Sequence, residues 1–416
     1  MRVFKFGGAS VKNAEAVRNV AEVIRHEGAE KLLVVVSAMG KTTNALEDIL
    51  DAAYRKRYQK RFRELRLFHY DLIAELFSPS SNKVFEAVEK LFHELNAALK
   101  QLDANEPFEK NYSKIVSFGE RISSTIVAAY LNEVGITTEL IFAPDFIRTN
   151  EDWQEGQVDW DKSEALLMEL KKTFNGKVLL SQGFIGGTAA QEITTLGREG
   201  SDFSAAIFAY GLGAESVTIW KDVPGVLSAD PKRVKKTKLF PELSYQEAAE
   251  MTYYGASVIH PKTIKPLANK KIPLHVRSFV NIDQSGTCIG DFQQHPEPSI
   301  IFKTDQSIVR FEAKDLSNIN QRTLTRLIET ISNLTIKINL MMNTAVSFSI
   351  CINTVPIKLE KIKEALADEF IITTKDNLEL VTLKNYTDAV IAEFYTPETV
   401  LLELKTKRNF QFVREG

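Results

Sequence analysis

The strongest constraint on this chain is a series of short, almost unbroken apolar runs separated by helical patterns. The runs are "RVFKF", "KLLVVVSA", "SKIVSF", "TELIFA", "KVLLSQGF" and "SVTIW". They do not alternate apolar with polar, which suits strands covered on both faces of a parallel sheet. Between most of them lie helix-period stretches such as "NAEAVRNVAEVIRHE", "ERISSTIVAAYLNEVG" and "GSDFSAAIFAYGLG", the last two ending on glycine. This order predicts an α/β fold with an open, mostly parallel sheet and helices on both faces, continuing to about residue 290.

With 416 residues the chain is too long for one core, so two or three domains are expected. A net charge of −2 gives no global pull toward nucleic acid or an anionic membrane. Two cysteines, Cys288 and Cys351, exclude a disulfide scaffold. No apolar stretch is long enough to span a bilayer, and the charged first strand does not read as a signal peptide. A cytoplasmic location is the expectation. From Thr43 to Leu102 strand signals are missing, and two helices broken near "FSPSSN" are predicted. The basic run "RKRYQKRFRELR", residues 55–66, is interleaved with glutamate and apolar residues, and reads as a solvated helix face with no nucleic-acid role.

Beyond "DFQQHPEPS" the pattern changes. Val309 and Phe311, then Ile336, Ile338 and Leu340, then Val346, Phe348 and Ile350 alternate strictly, as in strands with one buried face. Helical patterns over "NQRTLTRLIETIS" and "LEKIKEALADEF" complete the order strand, helix, strand, strand, helix, strand. That order defines an α+β ferredoxin-like unit. The expected division is a catalytic domain over 1–295 and a regulatory or dimerisation region over 300–416. The segment after Leu383 is too short for a second full unit, and "TVLLELKT" with "NFQFVRE" reads as a hairpin.

Four stretches carry chemistry. In "VFKFGGAS", Lys5 stands inside a strand just before Gly7, Gly8 and Ser10, so backbone amides and one point charge can meet the same anion. "VSAMGKTTN" places Ser37 and Thr43 where the second strand ends, the edge at which open α/β sheets bind ligands. "SFGER" puts Glu120 at a helix start, where the dipole also favours a carboxylate for purely structural reasons. "TTLGREGSD" sets Arg198, Ser201 and Asp202 ahead of another helix. Arg198 can grip a carboxylate with two parallel hydrogen bonds, whereas Asp202 alone could equally be a helix cap.

Taken in order with "RTN" (148–150), "QGFIG" (182–186), "WKDVPGV…ADP" (220–231) and "GASVIHP" (255–261), these stretches resemble the aspartate kinases of the amino acid kinase family over roughly residues 1–290. The alternating C-terminal region resembles the regulatory ACT domains of that family. The resemblance implies ATP-dependent phosphorylation of the side-chain carboxylate of L-aspartate to 4-phospho-L-aspartate, the first step toward lysine, threonine and methionine. It implies Lys5 and Asp202 as catalytic residues and Gly7, Gly8 and Ser10 around the phosphate. Ser37, Thr43, Glu120, Arg198 and Ser201 would hold aspartate, and Lys221, Asp222, Leu227, Lys232 and Ser257 the nucleotide. Mg²⁺ would travel with ATP and need no metal site of the protein's own. A homodimer or higher homo-oligomer through the C-terminal region is expected.

The chain departs from the family pattern at Ala9, Glu199, Lys221, Leu227, Lys232 and Ser257. At these positions the family usually has threonine, a small residue, threonine, tyrosine, arginine and lysine respectively. The lysine missing at Ser257 would have supplied a second charge to the ATP phosphates. Two readings are open: Lys221, Lys232 or Lys262 replaces that charge, or the chain is a catalytically impaired amino-acid-binding regulator of the same fold.

Overall fold

The computed structural model describes residues 1–78, 82–103, 105–256, 259–293, 297–315 and 317–416. They fall into two compact units. The first comprises Met1–Val226, Leu239–Ala249 and Val258–Gln294, and the second Leu227–Lys238, Glu250–Ser257 and His295–Gly416.

The first unit is built on ten strands: β1 (Arg2–Phe6), β2 (Leu32–Val36), β3 (Thr138–Ile141), β4 (Val178–Gln182), β5 (Ile185–Gly187), β6 (Ile193–Thr195), β7 (Ser216–Lys221), β8 (Glu242–Ser244), β9 (Leu274–Ser278) and β10 (Thr287–Gly290). Eight form one sheet in the order β3-β4-β2-β1-β7-β9-β10-β8, while β5 and β6 pair separately. Every neighbouring pair in the large sheet is parallel except β9 with β10. The helices of its first half are α1 (Ala14–Glu27), α2 (Thr42–Tyr54), α3 (Gln59–Leu76), α4 (Asn82–Lys100), α5 (Phe108–Val116) and α6 (Phe118–Glu133). Then come α7 (Ala143–Phe146), α8 (Trp160–Lys172), α9 (Gly200–Leu212), α10 (Tyr245–Tyr254), of which residues 245–249 belong to this unit, and α11 (Pro261–Asn269).

The period-two alternation of β1 decides what each face does. Phe4 and Phe6 enter a core shared with α1 and α6, whereas Lys5 points to the opposite face, where α9 packs on β1. All five residues of β2 are fully buried, as a strand covered on both faces requires. The open α/β sheet expected from the sequence is therefore present.

Two local readings are corrected. "SKIVSF" is not a strand: Ser113 to Val116 complete α5, and Phe118 starts α6. Its apolar run was too short for periodicity to separate strand from helix; the structure makes it the end of α5, with the buried Ser113 donating its hydroxyl to the Trp153 carbonyl at 2.6 Å. The stretch from Thr43 to Leu102 holds three helices, α2, α3 and α4, not two. The missed break is at Lys56, whose left-handed φ of 54° ends α2 within the basic run.

The second unit contains β11 (Ser299–Ala313), α12 (Gln321–Asn333), β12 (Ile338–Asn343), β13 (Ser347–Asn353), α13 (Pro356–Leu366), β14 (Phe370–Lys384), α14 (Asp388–Phe394), β15 (Val400–Lys405) and β16 (Asn409–Glu415). Its six strands run β12-β13-β11-β14-β16-β15, all pairs antiparallel. The order β11-α12-β12-β13-α13-β14 is the ferredoxin-like unit read from the sequence, and β15 with β16 is the hairpin. Both 15-residue strands, β11 and β14, extend past that unit and carry the hairpin beside them. This second half has the single helix α14, and its core is completed by Ala229 and Val234 of the segment 227–238. Arg233 lies 3.8 Å over the Phe302 ring, and it and Arg414 both bind the buried carboxylate of Glu379.

Candidate active site

Four adjacent central strands, β4, β2, β1 and β7, end along one edge of the first unit's sheet. A cleft of about 510 Å³ opens there, lined by residues that follow or close each of them. Lys5, Gly8, Ser37, Thr43, Glu120, Arg198, Ser201, Asp202 and Lys221 all line it. The structure thus gathers in one place residues that the sequence scatters from the first strand to the seventh.

At the cleft floor, Lys5 Nζ lies 2.6 Å from Asp202 Oδ1, and Lys221 Nζ lies 3.3 Å from Asp202 Oδ2. Asp202 stands in the first turn of α9, an end that favours negative charge. Burial alone would raise its carboxyl, but Lys5 and Lys221 outweigh burial and hold it below the usual carboxylate range. Asp202 is therefore ionised at neutral pH and does not act as a proton store. One carboxylate shared by two ammonium groups leaves the cluster positive, as an anion site needs.

The loop after β1 is shaped for close backbone approach. A Cβ on Gly8 would lie 3.0 Å from both the Ala38 and Gly40 carbonyl oxygens, and one on Gly7 would lie 3.3 Å from Lys5 Nζ. Ser10, in the short 3₁₀ turn after Gly7, is buried with no hydrogen-bond partner for its hydroxyl. Glu120 is 2% exposed: its Oε1 accepts from the Ala38 N–H at 3.2 Å, while Oε2 has no partner. Burial pushes its carboxyl up to about 8, against the smaller opposing pull of the Ala38 N–H and Lys5. Such a carboxylate calls for a donor or a cation from a ligand.

Not every expected residue reaches the cleft. Gly7, Ser10 and Asp222 do not line it, and Leu227 and Lys232 belong to the second unit. Ser257 lies outside the described residues. Lys221, expected with the nucleotide residues, instead shares Asp202 with Lys5.

Three lining residues lie outside every stretch singled out in the sequence: Tyr112, Gln154 and Glu155. Tyr112 sits on α5, the helix misread as a strand from Ser113 onward, and its hydroxyl donates to Glu47 at 2.7 Å. Glu199, noted only as a departure, adopts a left-handed φ of 54° at the start of α9 and also lines the cleft. Holding a non-glycine residue there costs on the order of 1 kcal/mol. Among the described residues no group of three or more His, Cys, Asp or Glu is placed to hold a metal ion, and no helix is long and apolar enough to cross a membrane.

A two-lysine, one-aspartate cluster at the carboxyl edge of an open α/β sheet, with Arg198, Glu120, Glu155 and Glu199 in the same lining, suits small ligands that carry both anionic and cationic groups. The chain belongs to the amino acid kinase family, which its residues 1–278 match. It is 35% identical over 328 residues to the bifunctional aspartokinase/homoserine dehydrogenase 2 of Arabidopsis thaliana, covering 75% of this chain and 34% of that one. With the lysine-sensitive aspartokinase 3 of Escherichia coli it shares 27% identity over 355 residues, or 85% of this chain and 78% of that protein. The chain spans about a third of the length of the bifunctional relatives it matches. The structure of E. coli aspartokinase III with aspartate and ADP superposes with a TM-score of 0.86 at 24% identity, covering 100% of this chain and 96% of that one. That likeness extends the shared fold through the C-terminal, ACT-like region.

Proposed function

We propose that this chain is an aspartate kinase, transferring the γ-phosphoryl group of ATP to the side-chain carboxylate of L-aspartate. The observation that carries the reading is one cleft holding a Lys5–Asp202–Lys221 cluster beside Arg198 and Glu120. Such a site offers cations for a phosphoryl group, a guanidinium for a carboxylate and a buried carboxylate for an ammonium. Relatives named aspartokinases support the choice of aspartate.

In the reaction an oxygen of the aspartate side-chain carboxylate bonds to the γ-phosphorus. The bond from phosphorus to the β,γ-bridging oxygen breaks, and its electron pair leaves with ADP. The nucleophile is already ionised at neutral pH, so no proton moves and no general base is needed. That assigns the protein positioning and charge neutralisation, the main contributions in phosphoryl transfer. Lys5 neutralises the moving group, Asp202 orients Lys5, and the amides of Gly7 and Gly8 with the Ser10 hydroxyl surround the phosphate oxygens. Arg198 holds a substrate carboxylate and Glu120 the ammonium, with Ser37, Thr43 and Ser201 as hydrogen-bonding neighbours. Asp222, Leu227, Lys232 and Ser257 are assigned to the nucleotide by resemblance alone. Mg²⁺ would travel with ATP, held chiefly by the nucleotide's own phosphate oxygens. The enzyme is placed in the cytoplasm, with ACT-like regions joining its copies.

The test is ADP release with Mg-ATP and L-aspartate, with the acyl phosphate trapped by hydroxylamine as a hydroxamate. Aspartate-dependent ADP and hydroxamate in equal amounts are expected. ADP release that ignores aspartate, or amino-acid binding with no turnover, would replace the kinase reading with that of a regulator.

A further inference from the structure

We propose that Lys221 is a second cation for the transferred phosphoryl group in this chain, working with Lys5 and not as an anchor for the diphosphate part of the nucleotide. The proposal deepens the kinase reading and rests on it.

Lys221 closes β7, and Lys5 pairs across from Ile219 on the same strand. Residues two apart on a strand share a face, so Lys5, Ile219 and Lys221 all face α9. There Lys5 takes one oxygen of Asp202 at 2.6 Å and Lys221 the other at 3.3 Å. Asp202 is 2% exposed and Lys5 8%, so the cluster is largely withdrawn from water. If Asp202 only needed neutralising, Lys5 at the shorter distance would suffice. The second lysine makes the group positive, and both lysines line the same cleft as Arg198 and Glu120, the residues assigned to the acceptor.

During transfer the phosphorus exchanges its bond to the bridging oxygen of ADP for a bond to the aspartate carboxylate oxygen. Charge on its three other oxygens must be matched throughout. Lysines from two neighbouring strands, held by one carboxylate, can match it from two directions. Asp202 is then a positioning residue for both. A threonine at position 221, the usual family residue, could not supply that charge.

The test uses the full chain with Lys221→Thr and Lys221→Arg, measuring affinity for Mg-ADP and for the non-hydrolysable ATP analogue AMP-PNP by calorimetry, alongside kcat. Lys221→Thr is expected to lose about tenfold or more in AMP-PNP affinity while ADP affinity stays within about twofold. Its kcat should fall about a hundredfold, and Lys221→Arg should keep most of the analogue affinity. Equal losses for ADP and AMP-PNP would make Lys221 a diphosphate anchor and overturn the proposal. Unchanged binding and kcat would overturn it too, leaving Lys221 as a neutraliser of Asp202. Should Lys221→Thr fail to fold, Lys221→Met, which keeps the length of the side chain without its charge, decides by the same comparison: a loss confined to AMP-PNP would support the proposal, and equal losses for both nucleotides or no loss for either would overturn it. A wild-type chain that binds AMP-PNP but makes no acyl phosphate from aspartate fails the kinase reading, while the binding comparison still judges Lys221.

Discussion

Lys5 on the first strand and Asp202 on the ninth helix meet at 2.6 Å on the cleft floor, both almost fully buried. The contact explains why a strand inside a sheet carries a lysine: its charge is matched on one side and open to the cleft on the other. Lys5→Ala should therefore lower kcat about a hundredfold, the cost of removing one preorganised charge from a transition state. The aspartate KM should barely move, because that interaction is made chiefly in the transition state. Lys221 remains on Asp202 in the variant, so it should still fold. Steady-state kinetics with a thermal melt check this, and a near-native kcat would leave Lys5 as a strand lysine.

The sheet was legible because β2 and its neighbours are buried on both faces, and continuous apolar runs record that directly. The cleft was legible where its residues close or follow such strands or begin helices, as Lys5, Ser37 and Asp202 do. Tyr112 was not, because α5 is only nine residues long and its last turn falls in "SKIVSF", an apolar run short enough to read as a strand. Gln154 and Glu155 come from a loop whose path depends on tertiary contacts, such as the Trp153 carbonyl bonded by Ser113. The attachment of 227–238 to the C-terminal sheet also left no local signal. It depends on Arg233 finding Glu379, far along the chain.

Arg198 lines the same cleft, and the proposed function assigns it a carboxylate of the substrate. Arg198→Ala should raise the aspartate KM by about tenfold or more, since it removes a charge-assisted contact, and leave ATP affinity nearly unchanged. Initial rates over a matrix of both substrates measure this. A loss on the ATP side alone would reverse the division of the cleft.

Gly183 follows β4 where α9 begins on the other side, and a Cβ there would lie 2.6 Å from Ser201 Cβ and 2.9 Å from its Cα. Backbone contacts that short cannot be relieved by a rotamer change, so the start of α9 must move. Gly183→Ala should destabilise the chain by about 1–3 kcal/mol. It should also lower kcat, because Asp202 shifts with the helix. Thermal unfolding and kinetics together decide it: full stability with full activity would show that the helix start is compliant.

Glu379 is 3% exposed and binds Arg233 and Arg414. Burial raises its carboxyl, but those two guanidinium groups outweigh burial and hold it below its ordinary 4.5. A depressed folded value contributes stability above pH 4.5 that is lost as pH falls through the folded value. Glu379→Gln leaves two arginines under-paired and should cost about 3 kcal/mol near pH 7. The gap from wild type should narrow below pH 4.5. Melting curves of the full chain from pH 3 to 7 test both statements, and a constant gap would contradict the charge account.

Glu120 links the site to pH in the opposite sense. Burial pushes its carboxyl up to about 8 from 4.5, so the folded, ligand-free chain holds a proton there that the unfolded chain has lost. Stability should then fall as pH rises between those values. His69 works against this at the acid end: burial lowers it to about 4 from 6.5, so its contribution rises with pH over that window. Only from pH 6.5 to 8 does Glu120 act without that opposition, and there its slope amounts to about 2 kcal/mol. Glu120→Gln should remove that slope. Binding carries the same signature, because an aspartate ammonium placed on Glu120 favours the carboxylate and expels the proton. Calorimetry at pH 7 in buffers of different ionisation enthalpy should register about one proton released per aspartate bound, falling toward zero well above pH 8. Glu120→Gln should release none, and a wild-type chain that binds aspartate with no proton released would place the ammonium elsewhere.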